Sequence, residues 1–147
     1  MKIPAFLLIL SLFFACQPTC KTELPIEGTW LLISGETIQQ NDTVFTDYTA
    51  GQKTIKIINA NHFSFLRHDL NKGADSTAVF VAGGGKYSLK GTTYTEHLEF
   101  CNFREWEDHT FDFEIEINND TLIQKGIEKI EELNVDRLII ETYIRLQ

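Results

Sequence analysis

The sequence predicts an all-β, mainly antiparallel domain, built either as a sandwich or as a closed barrel. Short segments alternate apolar and polar residues with a period of two, and turn residues recur about every eight to twelve positions. No convincing amphipathic helix interrupts these segments. This spacing is typical of sandwiches and small barrels, and a closed barrel leaves no exposed sheet edge.

Residues 1–15 have the features of a signal peptide, because Lys2 precedes an apolar run that is too short to span a bilayer. The run ends in Ala15-Cys16, which resembles a bacterial lipobox, although Phe13 stands where Leu is commoner. We therefore expect lipidation at Cys16 and a lipid-anchored protein of the bacterial cell envelope, in the outer membrane. A secreted protein cut near Ala15 and an uncleaved anchor are the alternatives, and both also export the chain.

Residues 16–25, "CQPTCKTELP", are polar and contain two prolines, which is typical of a flexible tether. One domain is expected over residues 26–147. With Cys16 acylated, Cys20 and Cys101 are the two cysteines left to form a disulfide, although Cys20 lies in the expected tether.

About ten strands are expected from the alternation, and some of them are candidates for merging. They lie near 29–34, 44–49, 54–58, 62–68, 77–83, 86–90, 92–101, 109–118, 121–125 and 135–146.

The clearest strand is "FDFEIEIN", in which four apolar residues from Phe111 to Ile117 alternate with three carboxylates. Period two places the apolar side chains on one face and the carboxylates on the other, as a strand with one wet face requires. Turns are expected at 59–61, at Lys90-Gly91 and at 118–120, and residues 127–134 are expected to form one helical turn or an acidic surface loop.

The glycine run Gly83-Gly84-Gly85 joins two β segments and is followed by Lys86 and Tyr87. A phosphate-binding loop needs a different spacing and a helix after it. A β-bulge or a sharp barrel corner accounts better for the three glycines.

The chain carries 13 Lys and Arg against 21 Asp and Glu, which gives a formal net charge of −8 at pH 7. A polyanion such as nucleic acid is repelled by this charge at long range, so nucleic-acid binding is not expected. The membrane is expected to be contacted through the lipid anchor only.

Four segments together resemble the lipocalin-like domain of small bacterial lipoproteins: "IEGTW", "HFSFLRHD", "AGGGKYSLKGTTYTEHLEF" and "ETYIRL". The resemblance implies a calycin-type, up-and-down antiparallel β-barrel of about eight to ten strands. It implies no known activity, since a fold does not fix a function.

In lipocalins the Trp of a Gly-x-Trp motif lies at the closed end of the barrel, beneath an Arg from near the last strand. Carried over to this sequence, Gly28, Trp30 and Arg145 close the barrel, with Arg137 as the second choice for the arginine. The alternative is that Trp30 is ordinary core and Arg145 lies on the surface.

Alternation places Arg67 on the inner face with Phe63 and Phe65, and Glu96 on the inner face with Tyr94. On the last strand, periodicity favours the face that contains Leu138 and Ile140, whereas the resemblance favours the opposite face. The candidate ligand-binding residues are Phe63, Phe65, Arg67, Tyr94, Glu96, Phe111, Phe113, Glu141 and Tyr143. An internal ion-pair network is the alternative role for their charged members, since unpaired charges in an interior are costly.

No catalytic constellation stands out in the sequence, so neither an enzyme nor a cofactor is expected. The four histidines lack the spacing of a metal site; His62 and His68, for example, lie too far apart along one strand to bind one ion.

The first functional hypothesis is a lipid-anchored barrel that binds a small amphipathic molecule in its lumen. The second is a filled barrel that acts structurally or meets another envelope protein. Enough aromatic residues are expected to point inward to fill a small barrel, namely Phe63, Phe65, Phe80, Tyr94, Phe100, Phe111 and Phe113. The volume of the lumen distinguishes the two hypotheses.

Overall fold

The computed structural model describes residues 24–147, and the signal peptide, Cys16 and most of the expected tether lie outside the described residues. Nine strands form one antiparallel sheet, and two short 3₁₀ turns at Arg104–Trp106 and Glu131–Leu133 interrupt the connections. The strands are β1 (Gly28–Gln39), β2 (Asp42–Asp47), β3 (Gln52–Ile58), β4 (His62–Asp69), β5 (Phe80–Lys90), β6 (Thr93–Cys101), β7 (His109–Asn118), β8 (Thr121–Ile130) and β9 (Val135–Leu146).

The sheet closes on itself, because β1 pairs with β9 along most of its length. The other edge of β1 is shared by two strands that lie end to end: β3 pairs with its first residues and β2 with its last. Since β2 and β3 together occupy one position in the wall, the result is an eight-stranded closed barrel. The all-β, antiparallel barrel expected from the sequence is confirmed.

The expected turns lie where the sequence places them, between β3 and β4, between β5 and β6, and between β7 and β8. Asn119 adopts a left-handed conformation with φ of 53°, which Asn tolerates better than most residues. The two segments near 77–83 and 86–90 merge into β5. Residues 127–134 split between the end of β8 and a 3₁₀ turn.

The glycine run forms the expected bulge, because the register between β5 and β6 shifts between Gly84 and Gly85. Gly85 pairs with Leu98 and Gly84 pairs with Phe100, so Glu99 is the extra residue on β6. The glycines are needed here, since a Cβ at Gly83 would lie 2.5 Å from Cζ of Phe65. The ring of Phe65 therefore lies against a cross-strand glycine.

Two aromatic residues expected to point inward do not. Phe100 is 66% exposed, because the extra residue after Leu98 moves it to the outer face and turns Cys101 inward. Phe80 is 63% exposed, because its neighbour Val81 takes the inward position on β5.

The last strand follows the face that the resemblance favours. Ile139 and Tyr143 on this face are buried, whereas Leu138 and Ile140 on the opposite face are only half-buried. The assignment from periodicity was therefore wrong, because the inner face of β9 carries charged groups that the apolar pattern does not mark.

Candidate functional site

One end of the barrel is closed by Trp30, which is fully buried on β1. The guanidinium of Arg145 lies 4.0 Å from the centre of the Trp30 ring, and the two residues are cross-strand partners on β1 and β9. Arg145 also donates hydrogen bonds to the backbone carbonyls of Pro25 (2.5 Å) and Glu27 (2.6 Å). The arginine therefore ties the residues before β1 to the end of β9 through a cation–π contact and two charge-assisted hydrogen bonds.

Two neighbours fix the position of Trp30. Its indole Nε1 donates a hydrogen bond of 2.8 Å to the carbonyl of Ile26, which is itself buried. Gly28 has φ of +139°, and a Cβ at this position would lie 2.5 Å from Nη1 of Arg145. Glycine is needed at position 28 both for its backbone conformation and for the approach of the guanidinium.

Above this closed end the barrel contains a cavity of about 410 Å³, so side chains do not fill the lumen. The cavity reaches the end of the barrel where β6 connects to β7, since residues of that connection, Phe103 and Trp106, line it. Its volume lies within the range of small-molecule binding sites, about 300–1,000 Å³.

The lining of the cavity differs from one side to the other. The arc made by β5, β6 and β7 with the connection after β6 is mainly apolar, and Glu96 is its single charged lining residue. All other charged lining residues lie on β3, β4, β8 and β9, namely Lys56, Arg67, Glu128, Arg137 and Glu141. The charged groups are thus concentrated on one side of the lumen, beside apolar residues of the same strands.

A buried ion pair crosses the lumen at its floor. The ammonium of Lys56 on β3 pairs with the carboxylate of Glu96 on β6, and their side chains are 4% and 9% exposed. Nζ of Lys56 also donates a hydrogen bond of 2.7 Å to Oε1 of Gln124 on β8. One lysine therefore links three strands on different sides of the barrel.

Three aromatic rings lie close to the Lys56 ammonium. Nζ lies 5.5 Å from the ring centre of Phe63, 5.3 Å from that of Tyr94 and 5.7 Å from that of Tyr143. Phe63 and Tyr94 are buried core residues that do not line the cavity, whereas Tyr143 both belongs to the core and lines it.

The second carboxylate near the floor is Glu141, which accepts a hydrogen bond of 2.5 Å from the hydroxyl of Tyr143. Burial raises the pKa of Glu141, while the Lys56 ammonium and the Tyr143 hydrogen bond act against that rise. Burial also raises the pKa of the Tyr143 phenol, and the Glu141 charge adds to that rise.

Two arginines line the upper part of the polar arc. Arg137 forms an ion pair of 2.6 Å with Glu128 on the neighbouring strand, and its guanidinium lies 5.3 Å from the ring centre of Trp106. Arg67 on β4 donates from Nε to Oε1 of Gln52 at 2.7 Å, and its guanidinium lies 5.2 Å from the ring centre of Tyr48. Burial of Tyr48 raises its pKa.

The candidate ligand-binding residues from the sequence divide into two groups. Seven of them line the cavity: Phe65, Arg67, Glu96, Phe111, Phe113, Glu141 and Tyr143. The other two, Phe63 and Tyr94, are buried in the core and do not line the cavity. Arg145 lines a different depression, which lies at the closed end.

Sequence reasoning missed Lys56, Gln124 and Glu128, and it considered Arg137 only as a partner for Trp30. Lys56 lies between Ile55 and Ile57, and its neighbours gave no reason to single it out. Lys56 lies two residues before the buried Ile58, and a period of two therefore indicates that its side chain also points inward.

Among the described residues no group of three or more His, Cys, Asp or Glu side chains is arranged to hold a metal ion. No helix within residues 24–147 is long and apolar enough to cross a membrane. Cys101 is buried, and Cys20 lies outside the described residues.

The fold and the site together define an eight-stranded antiparallel β-barrel, closed at one end by a Trp–Arg contact and hollow above it. The sequence matches no protein-family model and no curated protein sequence.

Proposed function

We propose that this protein is a non-enzymatic, lipocalin-like binding protein that holds a small amphipathic molecule in its lumen. The observation that carries the proposal is the cavity of about 410 Å³, in which one side is mainly apolar and the other carries most of the charged groups. A ligand with an apolar body and polar groups matches such a lining, because each part of it finds a suitable surface.

The second hypothesis, a filled barrel with a structural or interaction role, depends on side chains that occupy the lumen. Two of the aromatic residues counted for that purpose, Phe80 and Phe100, lie on the outer face instead. Because these two side chains do not occupy the lumen, the open volume favours the ligand-binding hypothesis over the filled-barrel hypothesis.

We also propose that the barrel is held at the bacterial envelope by a lipid on Cys16. The support comes from the sequence: a charged residue, a short apolar run and a small residue directly before the cysteine.

Binding in the lumen is tested with the fluorescent fatty-acid probe 11-(dansylamino)undecanoic acid. Leu98 lines the cavity, so the larger indole of Leu98→Trp occupies part of it and narrows it, whereas Leu66→Trp makes the same change on the outer face of β4. We expect saturable enhancement of dansyl fluorescence with the wild type and with Leu66→Trp, and at least tenfold weaker binding with Leu98→Trp. Equal binding by the two variants, each shown to be folded by circular dichroism, would place the probe outside the lumen and contradict the proposal.

A further inference from the structure

We propose that the lumen recognises a carboxylate on its ligand, and that Arg67 and Thr54, side by side on β4 and β3, bind this group. This inference rests on the proposed function, because it assigns the ligand's chemical class at the same cavity. Both residues line the cavity, and they are cross-strand partners in the register of β3 and β4.

The guanidinium of Arg67 has hydrogen-bond donors that no described residue uses. Its Nε is used by Gln52, and the structure gives its two terminal nitrogens no hydrogen-bond partner within the described residues. Nor does any described carboxylate form an ion pair with Arg67, whereas the other two cations of the lumen, Lys56 and Arg137, each have one. A guanidinium with free terminal nitrogens is suited to bind a carboxylate through two parallel hydrogen bonds.

Thr54 supplies an independent observation at the same place. The residue is 7% exposed, and its hydroxyl Oγ1 makes no hydrogen bond with any residue that the structure describes. A buried hydroxyl without a partner is costly, and such groups are uncommon in folded proteins. Directly opposed side chains on neighbouring strands have Cβ atoms about 4.5–5.5 Å apart, so one carboxylate can accept from both residues.

Charge balance favours a carboxylate over a phosphate. Arg67 provides one positive charge that forms no ion pair with any described carboxylate. A carboxylate carries a single negative charge, whereas a phosphate monoester carries about −1.5 to −2 at pH 7 and would leave part of its charge uncompensated in the lumen.

The apolar body of the ligand has a surface to meet across the lumen. Val81, Leu98 and Phe111 lie on the arc of β5 to β7, and Phe65 lies next to Arg67 on the inner face of β4. A ligand whose carboxylate contacts β3 and β4 therefore places its hydrocarbon part against the apolar arc.

The test compares dodecanoate, dodecan-1-ol and dodecyl phosphate, which share one chain and differ in the head group. Isothermal titration calorimetry measures the affinity of each for the wild type and for variants at pH 7.4. We expect the wild type to bind dodecanoate at least tenfold more tightly than the alcohol and more tightly than the phosphate. In Arg67→Gln the acid and the alcohol should bind within about threefold of each other.

Two further variants refine the assignment. Thr54→Val keeps the shape of the side chain and should weaken dodecanoate binding about three- to fivefold, with the alcohol unchanged. Lys53→Gln, on the exposed face of the same strand, removes a positive charge outside the lumen and should keep the wild-type preference.

The outcomes separate the inference from the proposed function. If the wild type binds acid and alcohol equally, or if Arg67→Gln keeps a tenfold preference for the acid, the carboxylate assignment is overturned and lumen binding stands. Tighter binding of the phosphate also overturns the carboxylate assignment. If none of the three compounds binds the wild type, both the carboxylate assignment and the proposed function are contradicted.

Thermal unfolding of each variant checks its folding. The variant Arg67→Lys keeps the charge and loses the planar guanidinium, so it should retain part of the preference for the acid.

Discussion

Lys56 and Glu96 face each other across the lumen, and their ion pair joins β3 to β6 at the floor of the cavity. Both side chains are at least nine-tenths buried, so removing either partner leaves the other charge poorly compensated. The pair therefore lies at the lower boundary of the cavity. Removing it tests how much this contact contributes to the stability of a barrel with an open lumen.

Breaking the pair from one side should destabilise the barrel strongly. We expect Lys56→Met and Glu96→Gln each to lower the free energy of unfolding by about 3–5 kcal/mol, because each leaves a buried polar or charged group without its partner. The double variant should lose less than the sum of the two. Urea denaturation measures all three.

An outer ion pair provides the control for this prediction. Lys86 and Glu99 lie 3.3 Å apart, with the lysine side chain 64% exposed. The matching substitutions Lys86→Met and Glu99→Gln should each cost less than about 1 kcal/mol. Equal losses at the two sites, or strict additivity at the inner one, would contradict the role assigned to the Lys56–Glu96 pair.

At the closed end, Arg145→Gln should lower the free energy of unfolding by about 1–3 kcal/mol, since it removes the cation–π contact with Trp30 and weakens two hydrogen bonds. In a Trp106→Phe background, where Trp30 is the remaining tryptophan, the fluorescence of Trp30 should also change. Arg104→Gln, at a side chain that is 81% exposed, is the control and should leave both measurements unaltered. A variant at Arg145 that behaves like the control would mean that the arginine does not close the barrel.

Glu141 predicts a specific dependence of stability on pH. Its pKa in the folded protein is raised above the ordinary value of 4.5, mainly by burial. At a pH between 4.5 and the folded pKa, the folded state therefore holds a proton that the unfolded state has lost. Stability contributed at low pH is therefore lost as the pH rises through the folded pKa.

The variant Glu141→Gln does not titrate at this position. Below pH 4.5 its stability should follow that of the wild type, and between pH 4.5 and the folded pKa of Glu141 the variant should become progressively more stable than the wild type. Urea unfolding at a series of pH values measures the difference, and a difference that stays constant or falls with pH would contradict the prediction.

The lipid anchor has a separate test. Cys16→Ala should move the protein from the detergent-rich phase to the aqueous phase when cells are extracted with Triton X-114, because the lipid is the proposed membrane contact. Cys20→Ala, four residues away, should leave the partitioning as in the wild type. Unchanged partitioning of the Cys16 variant would exclude lipidation at this residue.

The sequence predicts the architecture well because alternation and turn residues are local signals. β7, with its four apolar residues from Phe111 to Ile117, and the turns beside Asn119 and Gly91 lie where these signals place them. The bulge at the glycine run is also predicted from a local signal. The exposure of Phe100 is not, because it depends on which residue of β6 stays unpaired opposite β5.

The lining of the lumen was harder to predict, because a partly polar interior inverts the usual apolar pattern. On β9 the inner face carries Arg137 and Glu141, so the more apolar outer face looked like the core. The inward-facing side of β9 is predicted correctly only from the requirement that Arg145 reach Trp30. The long-range partners of Lys56, at positions 96 and 124, leave no mark in its own segment.

Native mass spectrometry of the protein purified from its own host tests the central claim most directly. The wild type and the outer-face variant Leu66→Trp should carry a small molecule that dissociates on activation, and Leu98→Trp, with its lumen narrowed, should carry little or none. A wild-type protein whose mass is that of the processed chain alone, or a bound molecule that persists in folded Leu98→Trp, would contradict the account of the barrel as a lumen-binding protein.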